Sequence, residues 1–194
     1  MRSRFIRFIF GFGTMLLCVG LVCGTSAQEA NGGTENASAS TLFEERRKGM
    51  AALDDGIYRM AQRYFMNYRQ KSELKEPAFT DATCLLIETF LLADDLAGAE
   101  KALVHHQKNA TGALDAHVDY AHALRYWQGM LLSHQGKVQE ALDVISPLFE
   151  KIDGELGNDV LSLGADLLAK QRKWEEAEVL LKRLLSGRDA PVSV

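Results

Sequence analysis

Residues 135–141 (QGKVQEA) belong to a short pattern that occurs four times in this chain, each time as a turn followed by the start of a helix. The other occurrences are 55–61 (DGIYRMA), 94–99 (DDLAGA) and 172–177 (RKWEEA). Each has Gly or polar residues at the turn and an apolar residue three positions before an Ala. The residues four positions after each Ala are Phe65, Leu103, Ile145 and Leu181. Positions four apart share one helix face, so each small and large pair predicts a surface for packing against another helix.

The four Ala residues of this pattern are separated by 38, 42 and 36 positions. From Thr41 onward Leu, Ala, Glu, Lys and Gln dominate, which are good helix formers, and no stretch alternates apolar and polar residues as a strand does. A repeat of this length in a helical chain indicates stacked hairpins, because one hairpin cannot bury its apolar face alone. An ordinary helical bundle is the alternative. We predict an all-α fold of about four hairpins, that is, about eight helices.

The turn and capping residues give the predicted limits of these helices. Residues 41–44 (TLFE) read as a capping box, which places the first helix start at Thr41. Pro77, residues 109–112 and residues 153–154 separate the hairpins. The predicted helices cover 41–54, 57–73, 81–93, 96–108, 115–134, 137–151, 158–171 and 174–186.

The repeated segments resemble tetratricopeptide repeats, whose unit of 34 residues is also a helical hairpin. The matching residues are Gly49, Gly56, Tyr58, Ala61 and Phe65 in the first unit, and Gly129, Gly136, Val138 and Ala141 in the third. Asp94 and Arg172 depart from the pattern, since they stand where the turn Gly would be, and every interval exceeds 34. The resemblance covers residues 41–186. It implies a right-handed α-solenoid in which the first helix of each hairpin lines a concave groove.

The resemblance also implies which residues line that groove. They are Phe43, Arg46, Arg47, Met50 and Leu53 in the first unit, and Tyr126, Trp127, Met130 and His134 in the third. Aromatic, Met and Arg residues are enriched at interface cores, and Arg46 and Arg47 suit a carboxylate of a bound peptide. The alternative is that Trp127 and Met130 belong to the core and that the two arginines lie on a solvated helix face.

The last predicted helix has a wide apolar stripe formed by Trp174, Ala177, Val179, Leu180, Leu181, Leu184 and Leu185. Solenoids usually end in a polar capping helix. We therefore predict a second interface through Val179, Leu180 and Leu184, for a partner or for a second copy in a homo-oligomer. The alternative is that the stripe only covers the preceding helices.

Residues 1–27 have the pattern of a secretory signal: Arg2, Arg4 and Arg7, then an apolar run, then small residues up to Ala27. An uncleaved membrane anchor and a lipoprotein signal are the alternatives; the short, Gly-interrupted apolar run disfavours the first. We predict cleavage, no membrane span in the mature form, and a periplasmic or secreted location. Residues 28–40 (QEANGGTENASAS) read as a flexible linker and 187–194 as a C-terminal tail.

The charge balance excludes some classes of partner. Residues 1–27 hold three of the 22 Lys and Arg and none of the 26 Asp and Glu, so their removal changes the formal net charge from −4 to −7. Nucleic acids and anionic membranes attract cationic proteins, whereas this chain is negatively charged. We expect a protein or peptide partner and no nucleic acid.

The sequence has no phosphate-binding Gly-rich loop, no nucleophile elbow and no zinc-binding HExxH motif. His117 and His122 are five residues apart, which is poorer than the spacing of four that places two ligands on one helix face. Cys84 lies among apolar neighbours, which indicates a buried thiol. We therefore predict no catalysis, no cofactor and no metal. The expected function is an exported scaffold that binds a partner during assembly of a cell-envelope or surface complex. The alternatives are a metal-binding or enzymatic protein using His117, His122 and Cys84, and a self-associating structural subunit.

Overall fold

The computed structural model describes residues 32–72, 77–110 and 118–188 of the 194-residue chain. These residues form helices and turns, and no strand occurs among them. The predicted all-α class is therefore confirmed. The predicted signal peptide, residues 1–27, lies outside the described residues.

Eight α-helices occur in the described part of the chain, as predicted. They are α1 (Gly32–Asp54), α2 (Tyr58–Lys71), α3 (Pro77–Leu92), α4 (Leu96–Asn109), α5 (Val118–His134), α6 (Val138–Ile145), α7 (Gly154–Lys170) and α8 (Trp174–Arg188). A 3₁₀ turn, Ser146–Leu148, follows α6, where Pro147 interrupts the helix predicted to continue to residue 151.

The helices pack in the order in which they occur in the sequence. Consecutive helices form the hairpins α1–α2, α3–α4, α5–α6 and α7–α8, and the second helix of each hairpin contacts the first helix of the next. The first helices also contact one another, α3 with α5 and α5 with α7. This arrangement is consistent with a helical-repeat solenoid, with a continuous hydrophobic core running through all four hairpins.

All four hairpin turns have the same backbone conformation. Their left-handed residues are Gly56 (φ 74°), Asp94 (φ 58°), Gly136 (φ 75°) and Arg172 (φ 61°). In the first turn the Ile57 N–H donates to the Ala52 carbonyl at 2.8 Å, and the equivalent bonds in the others are 2.8, 2.9 and 3.0 Å. This is the Schellman arrangement, in which a left-handed residue lets the chain satisfy the last carbonyls of a helix. The repeat is thus present in the second and fourth units, although neither has Gly at the turn.

Small residues allow the two helices of a hairpin to approach closely. Ala61, Ala99, Ala141 and Ala177 are all buried. A Cβ added at Gly49 would lie 2.3 Å from the Phe65 ring, and one added at Gly129 would lie 2.3 Å from Ile145 Cγ2. Gly49 and Gly129 therefore leave space for Phe65 and Ile145, the large apolar residues four positions after Ala61 and Ala141.

Three helices begin four or more residues before the predicted position, namely α1 at Gly32, α3 at Pro77 and α7 at Gly154. Helix α1 begins at Gly32, so Thr41 lies inside the helix rather than at a cap, and the helix includes most of the segment predicted to be a flexible linker. Its Ala, Ser and Glu residues extend a helix that the packed residues after Thr41 already nucleate. Helix α3 begins at Pro77, which fits the first helical turn because Pro lacks the amide that this position leaves unused.

At the other end of the chain, α8 continues to Arg188, two residues beyond the predicted limit. Residues 189–194 of the predicted tail lie outside the described residues. No helix in the described ranges is both long enough and apolar enough to span a membrane.

Candidate functional site

The first helices of the hairpins bring side chains from α1, α3, α5 and α7 to one side of the stack. Counting back thirteen positions from each left-handed turn residue gives Phe43, Asp81, Ala123 and Asp159. Counting back ten gives Arg46, Cys84, Tyr126 and Ser162, and counting back six gives Met50, Glu88, Met130 and Asp166. We call these three equivalent rows the first-helix face. The predicted groove residues Phe43, Arg46, Met50, Tyr126 and Met130 belong to it.

On α1 the predicted groove residues divide into exposed and buried ones. Phe43 is 62% exposed, and Arg47 is exposed with a hydrogen bond from its guanidinium to Glu44 at 2.9 Å. Met50 is half-buried against the core, and Leu53 is buried. Phe43 and Arg47 are therefore the α1 side chains available to a partner.

Arg46 forms an ion pair within the protein and is largely shielded from solvent. Its Nε donates to Asp81 Oδ2 at 2.8 Å, and the side chain of Asp81 is almost completely buried. The Tyr68 hydroxyl donates to the same carboxylate. This pair joins α1 to α3, with Tyr68 contributing from α2. The predicted role of Arg46 in holding a partner's carboxylate needs correction, because an internal carboxylate already occupies its guanidinium.

Burial shifts the pKa of each member of this ion pair in one direction, and the opposite charge of its partner shifts it in the other. Burial raises the pKa of Asp81, and Arg46 and Tyr68 offset part of that rise. Burial alone would lower the pKa of Arg46, but the charge of Asp81, its hydrogen bond to Arg46, and Tyr68 and Tyr120 together raise this pKa. Burial also raises the pKa of Tyr120, which lies near the pair, to about 12, so this phenol remains neutral.

On α5 the predicted groove residues are mostly part of the core. Tyr126 and Trp127 are buried, and their rings meet edge to face with centroids 5.1 Å apart. Met130 is half-buried and His134 is exposed. Trp127, only 4% exposed, therefore acts as a packing residue, in line with the alternative interpretation of its sequence position.

A second polar group on the first-helix face surrounds Tyr126. Burial raises the pKa of this phenol, and the charges of Asp159 on α7 and Glu88 on α3 raise it further. Tyr126 is therefore neutral and has a carboxylate on each of the two neighbouring first helices. Acidic residues thus contribute to this face alongside the predicted aromatic, Met and Arg residues.

The sequence prediction missed Asp81, Glu88 and Asp159, because it derived groove positions only for the first and third hairpins. Alignment of the four turn residues, rather than of the Gly residues alone, would have found them. Glu88 occupies in α3 the position of Met50 in α1, and Asp159 that of Phe43. The turns of the second and fourth hairpins are hard to recognise in the sequence, because Asp94 and Arg172 occupy the position where Gly is expected.

Two of the three residues of the alternative metal-binding or catalytic site, Cys84 and His122, lie in the described part of the chain. Cys84 is fully buried, and burial raises the pKa of its thiol well above the ordinary value, so the thiol is protonated. His122 is half-buried, and burial lowers its pKa. His117 lies outside the described residues. Among the described residues no group of three or more His, Cys, Asp or Glu side chains could hold a metal ion.

The three residues of the predicted second interface differ in exposure, because α8 packs on α7 with one side only. Leu180 is buried against α7, where a Cβ added at Gly164 would lie 3.0 Å from its side chain, and Leu184 is half-buried. Val179 is exposed, but it lies on the opposite side of the helix. Leu180 is therefore a core residue and not an available contact.

No protein-family model matches this sequence, and no curated protein or solved structure matches it either. The resemblance to tetratricopeptide repeats therefore stays a prediction, whereas the stack of helical hairpins is observed.

Proposed function

We propose that this chain is an exported, non-catalytic adaptor of tetratricopeptide type that binds a segment of a partner polypeptide on its first-helix face. The observation that carries the proposal is the register of this face. Its three rows recur in all four hairpins, so that Phe43 and Asp159 belong to one row, Tyr126 to a second and Glu88 to a third, and α3, α5 and α7 contact one another in that order. Repeat proteins with this organisation use the extended surface of stacked units for binding.

The residues of this face fit a polypeptide better than a small molecule. Phe43 offers exposed aromatic surface, and the half-buried Met130 offers an adaptable apolar contact. Arg47 lies on α1 four positions after Phe43, at the edge of this face rather than in its three rows. It is the available cation, because its pairing with Glu44 is exposed to solvent and such pairs are weak. A carboxylate of the bound segment can therefore replace Glu44 as the partner of Arg47.

The proposed setting is the assembly of a cell-envelope or surface complex. It rests on the secretory pattern of residues 1–27, which indicates export, and on the acidic charge of the chain that follows. Sequencing the N-terminus of the protein recovered from the exported fraction tests this step. We expect it to begin at Gln28; a protein that remains cytosolic with Met1 intact would contradict export.

Site-specific photo-crosslinking tests the binding surface. A photoreactive amino acid at Phe43 or Met130 is expected to join the partner covalently in intact cells. The control is Val104, an exposed apolar residue on α4, a second helix of a hairpin, where no crosslink to the same partner is expected. Arg47→Glu should reduce the yield at Phe43 while leaving the helical content unchanged. Equal crosslinking at Val104 and Phe43, or none at Phe43 and Met130, would rule out the first-helix face as the binding surface.

A further inference from the structure

Helix α8 has an exposed apolar face in addition to the face that it buries. Trp174 is 63% exposed, Leu181 46% and Leu185 59%. These residues are separated by seven and four positions, so they lie on one side of the helix. Ala177 and Leu180 are buried against α7. We call Trp174, Leu181 and Leu185 the α8 stripe.

The earlier hairpins show what normally covers this stripe. Phe65, Leu103 and Ile145 are equivalent to Leu181, nine positions after the turn residue, and all three are buried. Each of their hairpins packs against the first helix of the next one. Leu181 is exposed because no described helix packs there.

The position of Leu185 leads to the same conclusion. Its equivalent in the third hairpin is Phe149, thirteen positions after the turn residue. Gly164 of α7 packs against Phe149 so closely that an added Cβ would lie 2.6 Å from the ring. The stripe therefore has the shape and chemistry of a surface that this fold covers with a helix.

Helix α1 does not offer the complementary surface. Gly164 of α7 packs against Phe149 of the preceding hairpin, and Val160 and Leu167, four before and three after it on the same side of α7, are buried as well. The equivalent positions in α1 are Glu44, Lys48 and Ala51. Because this face of α1 is polar, a second copy stacked head to tail would leave the α8 stripe against charged groups.

The charges along α8 instead favour pairing of α8 with itself. Glu178 and Lys182 flank the stripe, three positions before Leu181 and one after it, and they form an exposed ion pair with each other at 2.8 Å. The other charged residues keep the same order along the helix, with Glu175 and Glu176 in the first half and Arg183 in the second. Two antiparallel copies of α8 would place the acidic half of each opposite the basic half of the other. Opposite charges at such flanking positions set partner choice and orientation in paired helices.

We infer that a second copy of this chain docks on the α8 stripe, through antiparallel pairing of the two α8 helices about a two-fold axis. Such an interface uses the same surface of both subunits, as in most symmetric dimers. It lies on the last described hairpin and leaves the exposed Phe43 of each copy accessible.

Sedimentation of the protein purified after expression of the full-length chain tests this inference. Wild type should change from monomer to dimer as its concentration rises, and Leu181→Glu should remain a monomer throughout. The matched control is Val179→Glu, which places the same charge at an equally apolar, exposed residue on the other side of α8 and should dimerise like wild type. Circular dichroism on each variant verifies that the helices are intact.

Charge reversal tests the antiparallel geometry. Glu178→Lys and Lys182→Glu place like charges opposite each other in their own dimers, so each variant should dimerise more weakly than wild type. A mixture of the two restores opposite charges at both sites and should form a heterodimer at low salt. Wild type that stays monomeric at every soluble concentration overturns the inference. The inference also fails if Leu181→Glu no longer binds a different protein but self-associates as wild type does. Dimers of equal strength in both reversed variants and in wild type contradict the antiparallel arrangement.

Discussion

Arg46 and Asp81 form a buried ion pair, with Nε and Oδ2 2.8 Å apart, that links the first helices of two successive hairpins. The neighbouring Arg47 forms an exposed pair with Glu44 one turn away on the same helix, at 2.9 Å. Two adjacent arginines thus have different roles. One joins α1 to α3, and the other remains exposed to solvent.

Removal of one member of the buried pair should destabilise the protein strongly. Arg46→Met leaves the Asp81 carboxylate buried without its cation, and we expect the free energy of unfolding to fall by about 3–5 kcal/mol. The double variant Arg46→Met/Asp81→Asn should recover much of this loss, because Asn carries no charge and still accepts from Tyr68. Urea unfolding monitored by circular dichroism measures both changes.

Arg47→Met is the matched control for the buried pair. It removes a similar side chain from the next position, but its ion pair is exposed, so little change in stability is expected. Equal destabilisation by Arg46→Met and Arg47→Met would show that the Arg46–Asp81 contact does not hold α1 in place.

The left-handed turn residues Asp94 and Arg172 predict a gain in stability on substitution by Gly. A left-handed backbone costs a non-Gly residue about 1–2 kcal/mol, which exceeds the added unfolded-state entropy of Gly. We expect Asp94→Gly and Arg172→Gly each to raise the free energy of unfolding by about 0.5–1 kcal/mol. The larger gain should come from Arg172, because Asp tolerates this conformation better.

Gly136→Ala is the reciprocal test of the turns, since φ is 75° there and a Cβ would meet no other group within 4 Å. A loss of stability thus reports backbone strain rather than a steric clash, and after the smaller unfolded-state entropy of Ala is included we expect about 1 kcal/mol. An unchanged unfolding midpoint for all three variants would contradict the shared turn conformation.

Most of the fold could be predicted from the sequence because its signals are local. Ala141 and Ile145 share one helix face, and the turn residue Gly136 precedes them at a fixed spacing. Such patterns depend only on helix geometry and turn chemistry. The start of α1 could not be predicted in this way, because the residues before Thr41 extend a helix whose stability arises from the packing that follows.

The candidate site was harder to predict because burial depends on which neighbouring helix covers a face. Helix spacing places Arg46, Arg47 and Trp127 on first helices, but it does not reveal that Asp81 meets Arg46 or that the core encloses Trp127. Asp81 lies 35 positions from Arg46, and the two meet only after α1, α2 and α3 have packed. A single sequence carries no local signal for such a contact.

The close approach of α5 to α6 predicts coupling between Gly129 and Ile145. An added Cβ at Gly129 would lie 2.3 Å from Ile145 Cγ2, so Gly129→Ala should destabilise the protein by about 1–3 kcal/mol through overpacking. Ile145→Ala removes the colliding methyl group but leaves a cavity, at about 2–5 kcal/mol. The double variant should lose less than the sum of the two, because the new methyl group occupies part of that cavity. Strict additivity in the double-mutant cycle would contradict the contact.

His106 predicts a loss of stability in mild acid. Its ring stacks on Phe79 with centroids 5.3 Å apart, and its Nε2 lies 2.9 Å from Thr80 Oγ1. Burial, together with the charges of His105 and Arg69, lowers its pKa from 6.5 to about 4. Between these two pH values the unfolded chain binds a proton that the folded chain does not, so this group's contribution is fully present above pH 6.5 and is lost as the pH falls towards 4. We expect the stability difference between wild type and His106→Gln to be constant above pH 6.5 and to shift in favour of the variant below it, as measured by urea unfolding. His134→Gln, at an exposed position, should follow the wild-type curve. A difference for His106→Gln that does not depend on pH would show that the imidazole is not held neutral by its surroundings.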